Sequence, residues 1–124
     1  MLRIARVGLG GLVAPHGVYA CTSQKEEFGV ALLEAMATGL AVVAPNAGGP
    51  ATYVHEGSTG CLADTSSVTD VRAALRRAAA ARADETRARR ASDLVRSRYT
   101  IEAMATSLAA VYAHVVHEPA QVAA

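Results

Sequence analysis

The stretch Glu26-Glu27-Phe28-Gly29-Val30-Ala31-Leu32-Leu33-Glu34-Ala35-Met36-Ala37-Thr38-Gly39 decides how the rest of the chain is read. Val30 to Thr38 are nearly all good helix formers, and Gly39 stands where a left-handed C-terminal cap is expected. The helix therefore begins near Gly29. The backbone N–H groups of Gly29, Val30 and Ala31 then lack acceptors within the helix and point outward with the positive end of its dipole. Such an entrance suits a phosphate group. Glu34 lies one turn further in, where a carboxylate repels phosphate but accepts two hydroxyl hydrogen bonds from a ribose diol. Glu26, in the preceding loop, can do the same for another polyol. This spacing suits a nucleotide sugar.

Three short apolar runs surround this helix: Gly17 to Thr22, Leu40 to Ala44, and Gly60 to Ala63. Turn residues bound each run and helical segments separate them, which predicts a parallel sheet. Ala47-Gly48-Gly49-Pro50 follows the second strand directly, at the carboxyl end where open α/β sheets place their ligands. Pro50 suits the first turn of a short helix through His55. A Gly-Gly loop there can approach a ligand closely, or it is a turn set by chain geometry alone.

At 124 residues the chain is long enough for one domain with a core and too short for two. Apolar residues make up 52% of it and its net charge is +1, which excludes intrinsic disorder as the organising feature. No run approaches the ~18 to 20 apolar residues of a membrane helix. Arg3 and Arg6 precede a small apolar run, but Gly8-Leu9-Gly10-Gly11 interrupts it and argues against a signal peptide. A cytoplasmic location is expected. Cys21 and Cys61 each fall in an apolar run and read as reduced structural thiols. His16, His55, His114 and His117 form no close ligand set except the last two, which read as solvated, so no metal site is expected. The chain also has no D-x-D motif for a metal-held diphosphate.

Beyond Ala63 the chain becomes helical. Thr65 and Ser67 are candidate N-caps, and Val71, Leu75, Ala78 and Ala79 form a stripe. Nine arginines lie between Arg72 and Arg98, against Asp84, Glu85 and Asp93. No aromatic residues interleave for base stacking, so the charge reads as a solvated face and no nucleic-acid partner is expected. A last helix runs from Thr100 to about His117, with Ile101, Met104, Leu108, Val111, Tyr112 and Val115 along one side. That stripe wants a partner surface. A dinucleotide reading of Gly8-Leu9-Gly10-Gly11 fails, because Val13 stands where G-x-G-x-x-G requires glycine.

E-x7-E from Glu26 to Glu34, then A-M-A-x-G, Val42-Val43-Ala44-Pro45, Ala47-Gly48-Gly49-Pro50 and Glu56-Gly57-Ser58-Thr59-Gly60, is an ordered series. It resembles the family 4 retaining glycosyltransferases of GT-B fold, and specifically the later part of their second, donor-binding domain. The resemblance implies an α/β fold, a partial Rossmann-like parallel sheet of about three strands with flanking helices and a helical C-terminal tail. Residues 17–124 would form this partial domain, and residues 1–16 a divergent segment. It also implies glycosyl transfer by a hexosyltransferase from a nucleotide-sugar donor, without a metal or other cofactor. Glu26 would hold a hydroxyl of the donor sugar as the catalytic carboxylate. Phe28 and Gly29 would shape the loop, while Gly29, Val30 and Ala31 would offer amides to sugar or pyrophosphate. Glu34 would hold the ribose, and Gly48 and Gly49 would line the donor pocket. Glu27 departs from the small residue or proline usual after the first glutamate and is expected to face solvent. The acceptor domain and the cationic residues that offset the diphosphate charge are not recognisable, so the expected partners are a nucleotide sugar and a missing N-terminal domain or a second copy of the chain. A non-catalytic binding module and an inactive remnant are the alternative readings.

Overall fold

The computed structural model describes residues 17–117. The segment 1–16 expected to be divergent, with its Gly8-Leu9-Gly10-Gly11 run, lies outside them.

Three strands, β1 (Val18–Ala20), β2 (Ala41–Pro45) and β3 (Cys61–Ala63), form one parallel sheet in the order β1-β2-β3. Val18 pairs with Ala41, and Val43 with Cys61. The first two strands are joined by α1 (Val30–Ala37); a 3-10 turn, Pro50–Thr52, lies between β2 and β3. Three helices follow: α2 (Val68–Ala80), α3 (Glu85–Arg98) and α4 (Ile101–His117). The expected α/β class, three-stranded parallel sheet and helical tail are all present.

Every residue of β2 is buried, because both faces of the sheet are covered and side chains alternate between them. Val42 and Ala44 enter a core with Leu32, Leu33 and Met36 of α1, Ala91 and Val95 of α3, and Tyr53 and Val54. Ala41 and Val43 face the other way, onto Cys61, Ala63, Ala74 and Ala78. Small residues on that second face let α2 lie close to the strands. Burying a Leu or Met side chain contributes about 1.5–3 kcal/mol, so Leu32, Leu33 and Met36 fix α1 on the sheet.

Local chemistry sets the element ends. Gly39 has φ 81 at the end of α1, as the sequence predicts. Ser67 rather than Thr65 caps α2, its hydroxyl accepting from Asp70 N–H at 3.2 Å. Asp84 caps α3 through Arg87 N–H, and Thr100 caps α4 through Ala103 N–H. Two expectations are corrected. Leu75 is exposed, because Ala74 and Ala78 are the residues of α2 that turn onto the sheet. The turn after Pro50 stops at Thr52 instead of continuing to His55, since Tyr53 takes φ −131 and enters the core.

The two sheet edges differ. On β3, Glu56 Oε2 accepts from Leu62 N–H at 2.6 Å, and the Arg77 guanidinium donates to Leu62 O at 3.0 Å. An Arg77–Glu56 ion pair at 3.2 Å joins these two groups. Side chains thus occupy edge groups that would otherwise pair with another strand. β1 pairs only with β2 among the described residues.

Candidate functional site

Parallel strands present their carboxyl ends together, and the loops leaving β1 and β2 meet there. The loop after β1 carries Glu26, Glu27 and Phe28 into α1; the loop after β2 carries Gly48 and Gly49. Their backbones touch. Gly49 N–H donates to Glu26 O at 3.4 Å, and a Cβ on Gly48 would collide with that same carbonyl oxygen. A Cβ on Gly49 would collide with Glu27 O and lie 2.9 Å from Phe28 Cα. The two glycines therefore let one loop lie directly on the other. Gly48 is exposed and Gly49 half-buried, so the pair borders the site as well as bracing it.

Gly29 opens α1 in the left-handed conformation, φ 83 and ψ 54, which only glycine adopts at little cost. Its carbonyl accepts from Leu32 and Leu33 N–H at 3.0 and 3.1 Å. The N–H groups of Gly29, Val30 and Ala31 have no acceptor among the described residues, as expected for a helix start. Val30 is 61% exposed and Ala31 and Glu34 half-buried, while Leu32, Leu33, Ala35 and Met36 are buried. Glu34 thus shares the outward side of α1 with Val30 and Ala31, while Gly29 is buried. Glu26 is half-buried, and its Cγ comes within 3.5 Å of where a Gly29 Cβ would stand. Its side chain therefore lies against the mouth of the helix. Glu27 is exposed, as expected.

Sequence reasoning missed three residues here. Cys21 lies just past β1, half-buried, with its thiol 3.9 Å from Glu26 Oε2. This corrects its reading as a thiol within a buried strand; Cys61 fits that description, being fully buried in β3. Burial pushes the Tyr19 phenol up from its ordinary pKa, and Cys21, Glu26 and Glu34 add to the effect electrostatically. Tyr19 therefore feels both glutamates of the E-x7-E pattern. Tyr53 is buried, and its hydroxyl donates to Phe28 O at 2.6 Å and lies 3.2 Å from Gly29 O. The signal was available in principle: a tyrosine inside Pro50-Ala51-Thr52-Tyr53-Val54 must find a partner for its hydroxyl if it is buried. Its partner, 25 residues earlier in the chain, was not readable.

Phe28, half exposed, meets Tyr53 and Tyr99 at ring-centroid distances of 6.2 Å each, and the two tyrosines lie 5.4 Å apart. Beyond Phe28 a groove of about 540 Å³ runs between Tyr99 and the apolar side of α4, past Met104 and Leu108. None of the predicted site residues except Phe28 lines it.

Residues 12–93 match the family described as Glycosyl transferases group 1. The chain belongs to that family. The fold agrees: it superposes on sucrose-phosphate synthase from Thermosynechococcus elongatus with a TM-score of 0.75 and 26% identity, covering 86% of this chain and 27% of that one. It also superposes on the C-terminal domain of a glycosyl transferase group 1 family protein from Francisella tularensis, with a TM-score of 0.52 and 31% identity over 68% of this chain and 44% of that one. The chain thus spans less than half the length of either structure. No curated protein sequence matches it. Among the described residues, no group of three or more His, Cys, Asp or Glu side chains is placed to hold a metal ion, and no helix is long and apolar enough to cross a membrane.

Proposed function

We propose that this chain is the donor-binding portion of a retaining, family 4 glycosyltransferase of hexosyltransferase type, and that the mouth of α1 takes the diphosphate of a nucleotide sugar. One observation carries the reading: the unpaired amides of Gly29, Val30 and Ala31 lie between a carboxylate at the mouth, Glu26, and one a turn along, Glu34. Neutral amides and a helix dipole stabilise an anion; carboxylates set on either side repel it but accept hydroxyls. A ligand with phosphates in the middle and hydroxyls at both ends satisfies all of these groups. In this reading Glu26 accepts from the donor sugar and Glu34 from the ribose, while Phe28, Gly48 and Gly49 wall the site.

As the bond between the anomeric carbon and the diphosphate oxygen breaks, negative charge grows on the departing nucleoside diphosphate. The preset amides of α1 stabilise that charge, without any metal in the proposed chemistry. The absence of a D-x-D motif from the sequence supports this part of the proposal. In this reading the acceptor side belongs to a separate domain, the cationic groups facing the diphosphate belong to the earlier part of the donor-binding domain itself, and the setting is cytoplasmic.

Calorimetry tests the assignment with a nucleoside diphosphate and its sugar ester on Glu34→Ala and Glu26→Ala. Losing charge-assisted hydroxyl contacts costs about 1.5–3 kcal/mol. Glu34→Ala is expected to weaken both ligands by that amount, and Glu26→Ala only the sugar ester. Equal losses for both ligands in both variants would overturn the roles given to the two glutamates.

A further inference from the structure

The donor-site reading gives the amides of α1 their task but leaves open what holds them in place. A left-handed residue at a helix start is a flexible joint, and Gly29 has no side-chain cap. Among the described residues, no side chain of the loop hydrogen-bonds to the Phe28–Gly29 turn. The restraint comes from across the site. Tyr53, rooted in the core with 1% exposure, donates its hydroxyl proton to Phe28 O at 2.6 Å and stands 3.2 Å from Gly29 O. These are the two carbonyls on either side of the left-handed turn. The fit is close, because a Cβ on Gly29 would come within 2.7 Å of the Tyr53 hydroxyl. The Phe28 ring packs edge-on to Tyr53, so the same residue is held through both backbone and side chain.

We propose that Tyr53 is the positioning residue of this site: its hydroxyl latches the Phe28–Gly29 turn and so aims the Gly29, Val30 and Ala31 amides at the diphosphate of the ligand. Tyr53 touches no ligand in this arrangement and acts only through the turn. Two features make it suited to the task. The ring is immobilised among Leu32, Met36, Val42 and Val54, which share its core. Burial, with the Glu26 charge added, also raises the phenol above its ordinary range, so the donor persists into alkaline pH where an exposed tyrosine ionises. The inference rests on the donor-site reading for the identity of the ligand, but the latch itself is a property of the loop.

The test compares the full chain with Tyr53→Phe, which keeps the ring and removes the hydroxyl. The probes are UDP, GDP and ADP, each measured by calorimetry beside its own nucleoside. For whichever diphosphate binds, Tyr53→Phe is expected to weaken it about tenfold, because a turn released from a hydrogen bond of about that strength must be re-ordered before its amides face the diphosphate, while the nucleoside, held at Glu34, is weakened less than twofold. Amide hydrogen exchange is read on the same two proteins. Protection of Leu32 and Leu33, whose N–H groups bond to Gly29 O, is expected to fall while that of Val42 to Ala44 in β2 is kept. A uniform fall across both segments, or equal weakening of diphosphate and nucleoside, would show that Tyr53 only stabilises the core and would overturn the proposal. If no diphosphate binds the unsubstituted chain, the donor-site reading fails instead, and the exchange pattern alone decides whether the latch exists.

Discussion

Replacing Gly49 with alanine puts the contact between the two loops under direct test. Gly49 has φ −57 and ψ −45, a conformation alanine adopts freely, so no backbone strain accompanies the change. Taken alone, the loss of glycine's freedom in the unfolded chain would stabilise the protein by about 0.4–1 kcal/mol. The added methyl opposes this. It would overlap Glu27 O and lie 2.8 Å from the Glu27 carbonyl carbon and 2.9 Å from Phe28 Cα, where ordinary contact begins at 3.4 Å. Each neighbour is backbone and cannot rotate away, so the Glu26–Phe28 loop must retreat by at least half an ångström. Overpacking of this kind costs about 1–3 kcal/mol. The net expectation is a loss of about 1–2 kcal/mol, or roughly 4–8 °C in the thermal midpoint for a chain of this size. Because the loop leads into α1, diphosphate affinity should fall by about tenfold as its charge-assisted contacts lengthen. Gly57→Ala serves as the comparison: Gly57 has φ 75 and nothing within 4 Å of a new Cβ, so it should lose stability through backbone strain and leave affinity unchanged. Scanning calorimetry and titration calorimetry on the two variants measure both quantities. A Gly49→Ala protein that melts at or above the parent temperature and binds normally would refute the packing of one loop on the other.

Alkaline stability should report the buried phenols. Folding raises the pKa of Tyr53 and Tyr19 above the ordinary value of about 10, so past that pH the unfolded chain releases protons that the folded chain keeps. Their contribution is then fully present below pH ~10 and lost as pH rises toward the folded values, and Tyr53→Phe should flatten this decline in denaturant midpoints; an identical slope in the variant would contradict the burial argument. The apolar side of α4 should drive association of the isolated chain, since Met104, Leu108, Val111 and Tyr112 are 48–62% exposed and no residue of the helix is buried. Sedimentation across a concentration series should show the association and Leu108→Glu combined with Val111→Glu should suppress it, whereas a parent that stays monomeric at every concentration would contradict the prediction.

The fold was legible where one residue's environment depends on its near neighbours. The run Leu40 to Ala44 reads as a strand covered on both sides because it is apolar without alternation, and β2 is buried throughout. Gly39 and Ser67 act as helix ends because cap chemistry is local. The failures share a different cause. Val71 and Ala78 of the expected α2 stripe do face the sheet, but nothing near Leu75 indicates that Ala74 would turn inward in its place; the close approach of helix to sheet selects the smaller side chain. The turn after Pro50 is short because Tyr53 is drawn toward carbonyls 24 and 25 residues away. Cys21 gains a carboxylate neighbour only once the loop after β1 folds back.

The E-x7-E and Gly-Gly elements can now be separated by what each supplies. Glu26 serves the site twice, through two different parts of the residue. Its backbone carbonyl receives Gly49 N–H and forms the seat on which the second loop lies, a role any residue type could fill. Its carboxylate, set against the mouth of α1, would in the proposed reading supply a charged acceptor for a ligand hydroxyl. Gly48 and Gly49 are the converse, since what they supply is the absence of a side chain where the carbonyls of Glu26 and Glu27 come close. A Glu26 side-chain truncation should therefore leave the loops in place and change only what they bind, whereas a methyl at Gly49 should move the loops and change binding through them. The sequence spacing between Glu26 and Gly49 carries no sign of this dependence. It arises because parallel strands bring successive carboxyl ends side by side, so that loops far apart in the chain must share one small space.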